Sequence, residues 1–187
     1  MKYADDLQLM SQVAAQNREA AARLLSRLVP AIRALCRVSL LDRSEVDETV
    51  QNACIEVLRS APSYKGQSTL DTWAHTITSR VIAKAIRARV KARRRITDLD
   101  LDSIFESNEP SVREETPRPI EEYLRRIPED LRTTLVMRHM LELSIDECAE
   151  ALDVSRNTVK DRLVRGRAAL RRYLRRDLGA PEPGDEP

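Results

Sequence analysis

An all-α protein of two small helical domains joined by an acidic linker, the second containing a helix-turn-helix, is what this sequence predicts. Three observations carry that expectation. Apolar residues recur at i, i+3, i+4 and i+7 along most of the 187 residues, and the strict alternation of half-buried strands does not. The composition is poor in glycine, with 4, and in aromatic residues, at 3%, but rich in Ala, Leu, Arg and Glu. Charge is laid out in blocks: residues 1–96 hold 17 Lys and Arg against 9 Asp and Glu, residues 97–118 hold 2 against 7, and residues 119–187 hold 13 against 14. The net charge of +2 therefore conceals two basic surfaces separated by an acidic spacer.

The elements follow in order. Helical patterns run over about 5–17, 18–29, 30–40, 44–61 and 68–95, with Pro30 placed where a helix can begin. They make a first domain of residues 1–96. Between the last two patterns Pro62 and Gly66 mark an ordered loop, and Ser68 and Asp71 have the spacing of a capping box for the helix after it. Residues 97–118 are acidic and lack a sustained apolar face, the marks of a flexible linker.

The second domain, residues 119–176, opens with short helices begun by Pro119 and Pro128. Ser144 and Glu147 then form a capping box for a helix whose apolar positions are Ile145, Cys148, Ala149 and Leu152. Asp153 and Val154 alone separate it from a second cap, Ser155, after which Val159, Leu163, Leu170 and Leu174 recur at helical spacing. The opposite face carries Arg156, Asn157, Lys160, Arg162, Arg165 and Arg171, donors suited to phosphate oxygens and to guanine edges. A basic face alone also suits a solvated helix. The short helix joined to it by a tight turn makes a helix-turn-helix and favours DNA. Residues 177–187 are rich in Pro, Gly and acidic residues and are expected to be a disordered tail.

Several function classes are excluded at this level. No apolar run approaches a membrane span and the first residues do not read as a signal peptide, so a cytoplasmic protein without membrane insertion is expected. Cys36, Cys54 and Cys148 lie on apolar sides of helices, far from any ligand spacing, and are expected to be buried thiols. His75 and His139 stand apart from any catalytic signature, and no glycine-rich phosphate loop is present. No enzyme activity, cofactor or metal is expected.

The order of these parts resembles an extracytoplasmic-function (ECF) sigma factor of the sigma-70 family, from about Asp5 to Leu174. "DETVQNACIEVLRS" is similar to the family helix that docks on the β′ clamp helices of core RNA polymerase, which implies Asp47, Glu48, Gln51, Asn52 and Ile55 as its exposed face. "SYKGQSTLDTWAHTITSRVIAKAIRARVKARRR" is similar to the promoter-melting segment. Its loop, Tyr64, Lys65, Gly66, Gln67, Ser68 and Thr69, corresponds to the family loop that receives a flipped base of the −10 element, where lost stacking must be replaced. Trp73 matches a near-signature family position and suits core packing as well as DNA contact. Arg80, Lys84 and Arg87 open a run without acidic residues that fits phosphate binding. The segment from "IPEDLRTTL" to "RRYL" is the strongest match. It implies −35 reading by Arg156, Asn157, Thr158, Lys160, Asp161, Arg162 and Arg165, with the β-flap tip received by the earlier helices.

The resemblance thus implies a promoter-specificity subunit without catalytic activity, bound to core RNA polymerase and promoter DNA, with an anti-sigma factor as a further partner common in the family. The alternative is a stand-alone helix-turn-helix regulator. Such proteins usually bind spaced half-sites as dimers. A sensor or dimerisation domain is then expected where this chain has a basic helical domain.

Overall fold

Stripes of apolar residues close on one another as helices. In the computed structural model, which describes residues 3–40, 43–97 and 119–177, every extended regular element among the described residues is α-helical. The elements are α1 (Ala4–Ala14), α2 (Arg18–Ser39), α3 (Arg43–Arg59), a 3-10 turn (Ala61–Ser63), α4 (Leu70–Thr97), α5 (Ile120–Arg125), α6 (Glu129–His139), α7 (Ile145–Leu152) and α8 (Arg156–Asp177). They form two compact units, divided within α4 between Ala88 and Arg89, with Met140–Glu142 grouped with the first. Apart from Thr97, the expected linker lies outside the described residues, as does the expected tail beyond Asp177.

In the first unit α1, α2 and α3 pack on one another and bury Met10 and Val13 of α1, Leu24, Leu28, Ile32 and Cys36 of α2, and Val46, Val50, Ala53 and Val57 of α3. α1 ends before Gln16, whose φ of 63° turns the chain, and the Asn17 side chain accepts the Ala20 N–H at 3.0 Å to start α2. The expected new helix at Pro30 is not found: α2 runs through it to Ser39. Pro30 is exposed, so the Ser26 carbonyl that it leaves without a backbone donor faces solvent. Burial of Leu24, Leu28, Ile32 and Cys36 at steps of four then outweighs a proline cost of roughly 3 kcal/mol.

In the second unit α6 is the central element, buried continuously from Leu131 to Met137 and packed by α5, α7 and α8. A buried arginine fastens its start: Arg132, 7% exposed, donates to the Ile127 carbonyl at 3.0 Å and the Leu124 carbonyl at 3.4 Å, satisfying acceptors at the end of α5. Gly166 sets the approach of α8 to α6. A Cβ there would lie 3.0 Å from Leu135 Cγ and Cδ1, so a larger residue would require the Leu135 side chain to give by a few tenths of an ångström.

All three cysteines are free. Burial pushes the Cys36 thiol up to about 12 and the Cys148 thiol to about 11. Because these folded values lie above the ordinary thiol value of 9.0, their contribution to stability is fully present below that pH. It is lost as pH rises toward 12. Urea midpoints should therefore fall progressively from pH 8.5 to 10.5, and Cys36→Ala and Cys148→Ala together should flatten the dependence.

Candidate nucleic-acid interface

The helix-turn-helix is built by three local devices. Ser144 Oγ accepts the Glu147 N–H at 3.2 Å while the Glu147 carboxylate accepts the Ser144 N–H at 2.8 Å, the reciprocal capping box of α7. Asp153 closes α7 in the left-handed region, with φ 52° and ψ 50°, which an Asp tolerates better than most residues. Ser155 Oγ then accepts the Thr158 N–H at 3.1 Å and starts α8.

Val159, Leu163 and Gly166 bury one side of α8, and the opposite side presents Arg156, Asn157, Lys160, Asp161 and Arg165 to solvent. Arg156 pairs with Asp146 at 2.9 Å and Arg165 with Asp161 at 3.3 Å. Two residues expected with this set stand apart from it. Thr158 is half-buried at the cap, its hydroxyl 2.9 Å from Ser155 Oγ. Arg162 turns toward α6, its side chain 22% exposed and 3.4 Å from Asp130. The sequence reading passed over Val164, a large apolar residue left 58% exposed among the cations. Its signal is its place one turn after Lys160, on the side away from Val159 and Leu163. An apolar group there can meet a thymine methyl.

The first unit carries a second basic surface. On α4, Arg80, Lys84 and Arg87 are exposed at i, i+4 and i+7, while Ile82 and Ile86 are buried on the other side. Trp73 lies on the same stripe two turns earlier and is half-buried. Its ring meets Tyr64 edge-on, with centroids 5.5 Å apart. Tyr64 points inward: it is 7% exposed, and its hydroxyl donates to the Ser68 carbonyl at 2.7 Å. It therefore shapes the loop from beneath, and Lys65 and Gln67 are its exposed members. Ser68 and Thr69 are half-buried, and Thr69 rather than Ser68 caps α4, accepting the Thr72 N–H at 3.1 Å.

Gly66 holds φ at 66°, and a Cβ on it would come within 3.0 Å of Leu7 Cδ1. Gly66→Ala should therefore cost about 1–2 kcal/mol, the left-handed penalty of an L-residue. Urea unfolding followed by the fluorescence of Trp73, the sole tryptophan, checks this.

A third surface lies on α3. Asp47, Glu48, Gln51, Asn52 and Ile55 are all exposed and share one face, and Val46, Thr49, Val50, Ala53 and Val57 are buried on the other. Asp47 accepts from Arg33 of α2 at 2.6 Å, and Ile55 is 44% exposed. Among the described residues no cluster of His, Cys, Asp and Glu fit to hold a metal is present, and no helix is long and apolar enough to cross a membrane.

Comparison with known proteins accounts for this pairing of units. Residues 24–92 match Sigma-70 region 2 and residues 118–170 match Sigma-70 region 4. The chain is 31% identical over 163 residues to the ECF RNA polymerase sigma-E factor of Escherichia coli, covering 80% of this chain and 78% of that protein. It is 26% identical over 169 residues to the ECF RNA polymerase sigma factor SigM of Mycobacterium tuberculosis, covering 90% and 84%. Among solved structures, the sigma factor RpoE in complex with the anti-sigma factor NepR from Bartonella quintana is 18% identical, with a TM-score of 0.48, over 86% of this chain and 98% of that one.

The chain belongs to the ECF sigma factors of the sigma-70 family. It is an initiation subunit of RNA polymerase, without catalytic activity of its own, that directs the core enzyme to promoters through their −10 and −35 elements and helps to open the −10 region.

Proposed function

We propose that the three exposed faces, with the apolar surface of the second unit, divide the work of initiation among them. The face of α3 formed by Asp47, Glu48, Gln51, Asn52 and Ile55 docks on the β′ clamp helices, and the apolar surface of the second unit receives the β-flap tip. Lys65 and Gln67, on the 64–69 loop that Tyr64 supports from beneath, take the flipped −10 base, with Trp73, Arg80, Lys84 and Arg87 following the backbone beside it. α8 enters the major groove of the −35 element through Arg156, Asn157, Lys160, Asp161, Val164 and Arg165. The observation that supports this most directly is that α3, α4 and α8 each bury one side and present the named polar residues on the other.

Residues 1–96 and 119–176 act as the two promoter-binding domains, and the carboxylates of 97–118 tether them through the polymerase in a cytoplasmic complex. An anti-sigma factor covering the polymerase-binding faces would silence both at once. Phosphate contacts supply salt-dependent affinity, and base-edge contacts supply discrimination of about 1–3 kcal/mol each. The test is gel filtration of the full chain with core RNA polymerase in moderate salt, beside binding to promoter duplex alone. Stable association with core and weak binding to free duplex are expected. Tight duplex binding without core association would overturn the assignment and favour the stand-alone regulator.

A further inference from the structure

Asp161 is out of place on the surface it occupies. From Arg156 to Arg176 it is the one carboxylate, among eight arginines and a lysine. Its side chain is 59% exposed, and it lies on the solvent side of α8 with Lys160, Val164 and Arg165. No folding role accounts for it there. The first turn of α8 contains no acidic residue, so Asp161 is too far along the helix to answer the helix dipole. Among the described residues its one bond is the exposed i,i+4 pair with Arg165 at 3.3 Å, a kind of contact that adds little to stability.

Against DNA a carboxylate is worse than idle, because it is repelled by every nearby phosphate. It is tolerated in the groove only where a base donates a hydrogen bond to it. The major groove offers two such donors, cytosine N4 and adenine N6. Adenine N6 sits beside the acceptor N7, which opposes a second carboxylate oxygen. Cytosine N4 has no acceptor on its own base edge, and its paired guanine presents O6 and N7, the acceptors an arginine satisfies. Asp161 and Arg165, one helical turn apart and already joined, together present an acceptor and a set of donors complementary to that pair.

We infer that Asp161 is a specificity-determining residue of the −35 contact, its carboxylate accepting the N4 amino group of a cytosine while it holds Arg165 on the guanine of the same pair. The inference rests on the proposed placement of α8 in the −35 major groove. It implies that this sigma factor requires a C·G pair at one −35 position and rejects the other three pairs there by charge rather than by shape.

The test uses holoenzyme assembled from core RNA polymerase and the full chain, with promoter templates in which each −35 base pair is changed in turn to the other three. With the unaltered chain, one position should favour C·G over the alternatives by about 5- to 150-fold, the equivalent of one good base-edge contact. Asp161→Ala should flatten the preference at that position alone, chiefly by improved binding to the three disfavoured templates. Asp161→Asn, which offers a donor beside its acceptor, should move the preference toward A·T. A change of the same factor on every template in both variants would overturn the inference and leave Asp161 as a tether for Arg165. If Arg165→Ala and Lys160→Ala leave every −35 substitution equally without effect, the placement of α8 fails and the inference falls with it.

Discussion

Ile55→Arg is expected to weaken association with core RNA polymerase by about 30-fold or more, the loss that follows truncation or charging of a residue at the centre of an interface. Ile55 is 44% exposed, and along with Ile120 and Val164 it is one of the large apolar side chains that the described residues leave to solvent. It follows Gln51 and Asn52 by about one turn on a face otherwise made of polar side chains. An apolar group in that setting gains by being covered. A guanidinium in its place would have to be desolvated without a partner. The buried side of α3 is untouched by the change, so circular dichroism should be unaltered while co-elution with core in moderate salt is lost. Retention of core binding by Ile55→Arg would show that this face of α3 is not where the polymerase docks.

Arg165→Ala should reduce transcription from −35-dependent promoters by about 5- to 150-fold, in line with the loss of one bidentate base contact. It should spare a template carrying an extended −10 element. Arg165 is 64% exposed and contributes nothing to the packing of α8 on α6, so a stability loss would not explain the result. Its removal also leaves the Asp161 carboxylate facing DNA without its cation. Arg165→Ala should therefore cost more than Lys160→Ala, whose removal leaves no unpaired charge behind. Run-off transcription on the paired templates separates the outcomes, and equal losses on both would remove −35 reading from α8.

Much of this architecture was legible in the sequence where local chemistry decides it. The capping box at Ser144, the cap at Ser155 and the tight turn of Asp153 and Val154 between them each depend on residues within a few positions of one another, and the structure forms all three. The exposed set on α3 came from the family resemblance, and the structure gives its physical reason: the buried positions Val46, Val50, Ala53 and Val57 take the other side of the helix. What local pattern missed was decided by tertiary contact. Tyr64 reads as a loop residue, yet Trp73 and the Ser68 carbonyl draw it inward. Arg162 lies at the border between the buried and exposed sides of α8, and Asp130 on α6 settles which way it turns. Val164 escaped notice because an apolar residue on a basic helix reads first as core. Pro30 reads as a helix start, and only the unbroken burial on both sides of it explains why α2 continues.

That continuation leaves α2 one rung short. A proline has no amide hydrogen, so the ladder between Arg18 and Ser39 is interrupted at Pro30 although the rod is not. Local opening is easiest where fewest backbone hydrogen bonds and buried contacts hold the chain, so a missing rung loosens a long helix at that turn. The turn around Pro30 is thus held by one backbone hydrogen bond fewer than the rest of α2. Immediately beyond it lies Arg33, the residue that pairs with Asp47 on the proposed docking face of α3. Deuterium uptake that slows in residues 31–39 but not in 18–29 when core polymerase is added would be the signature of docking felt through that one ion pair.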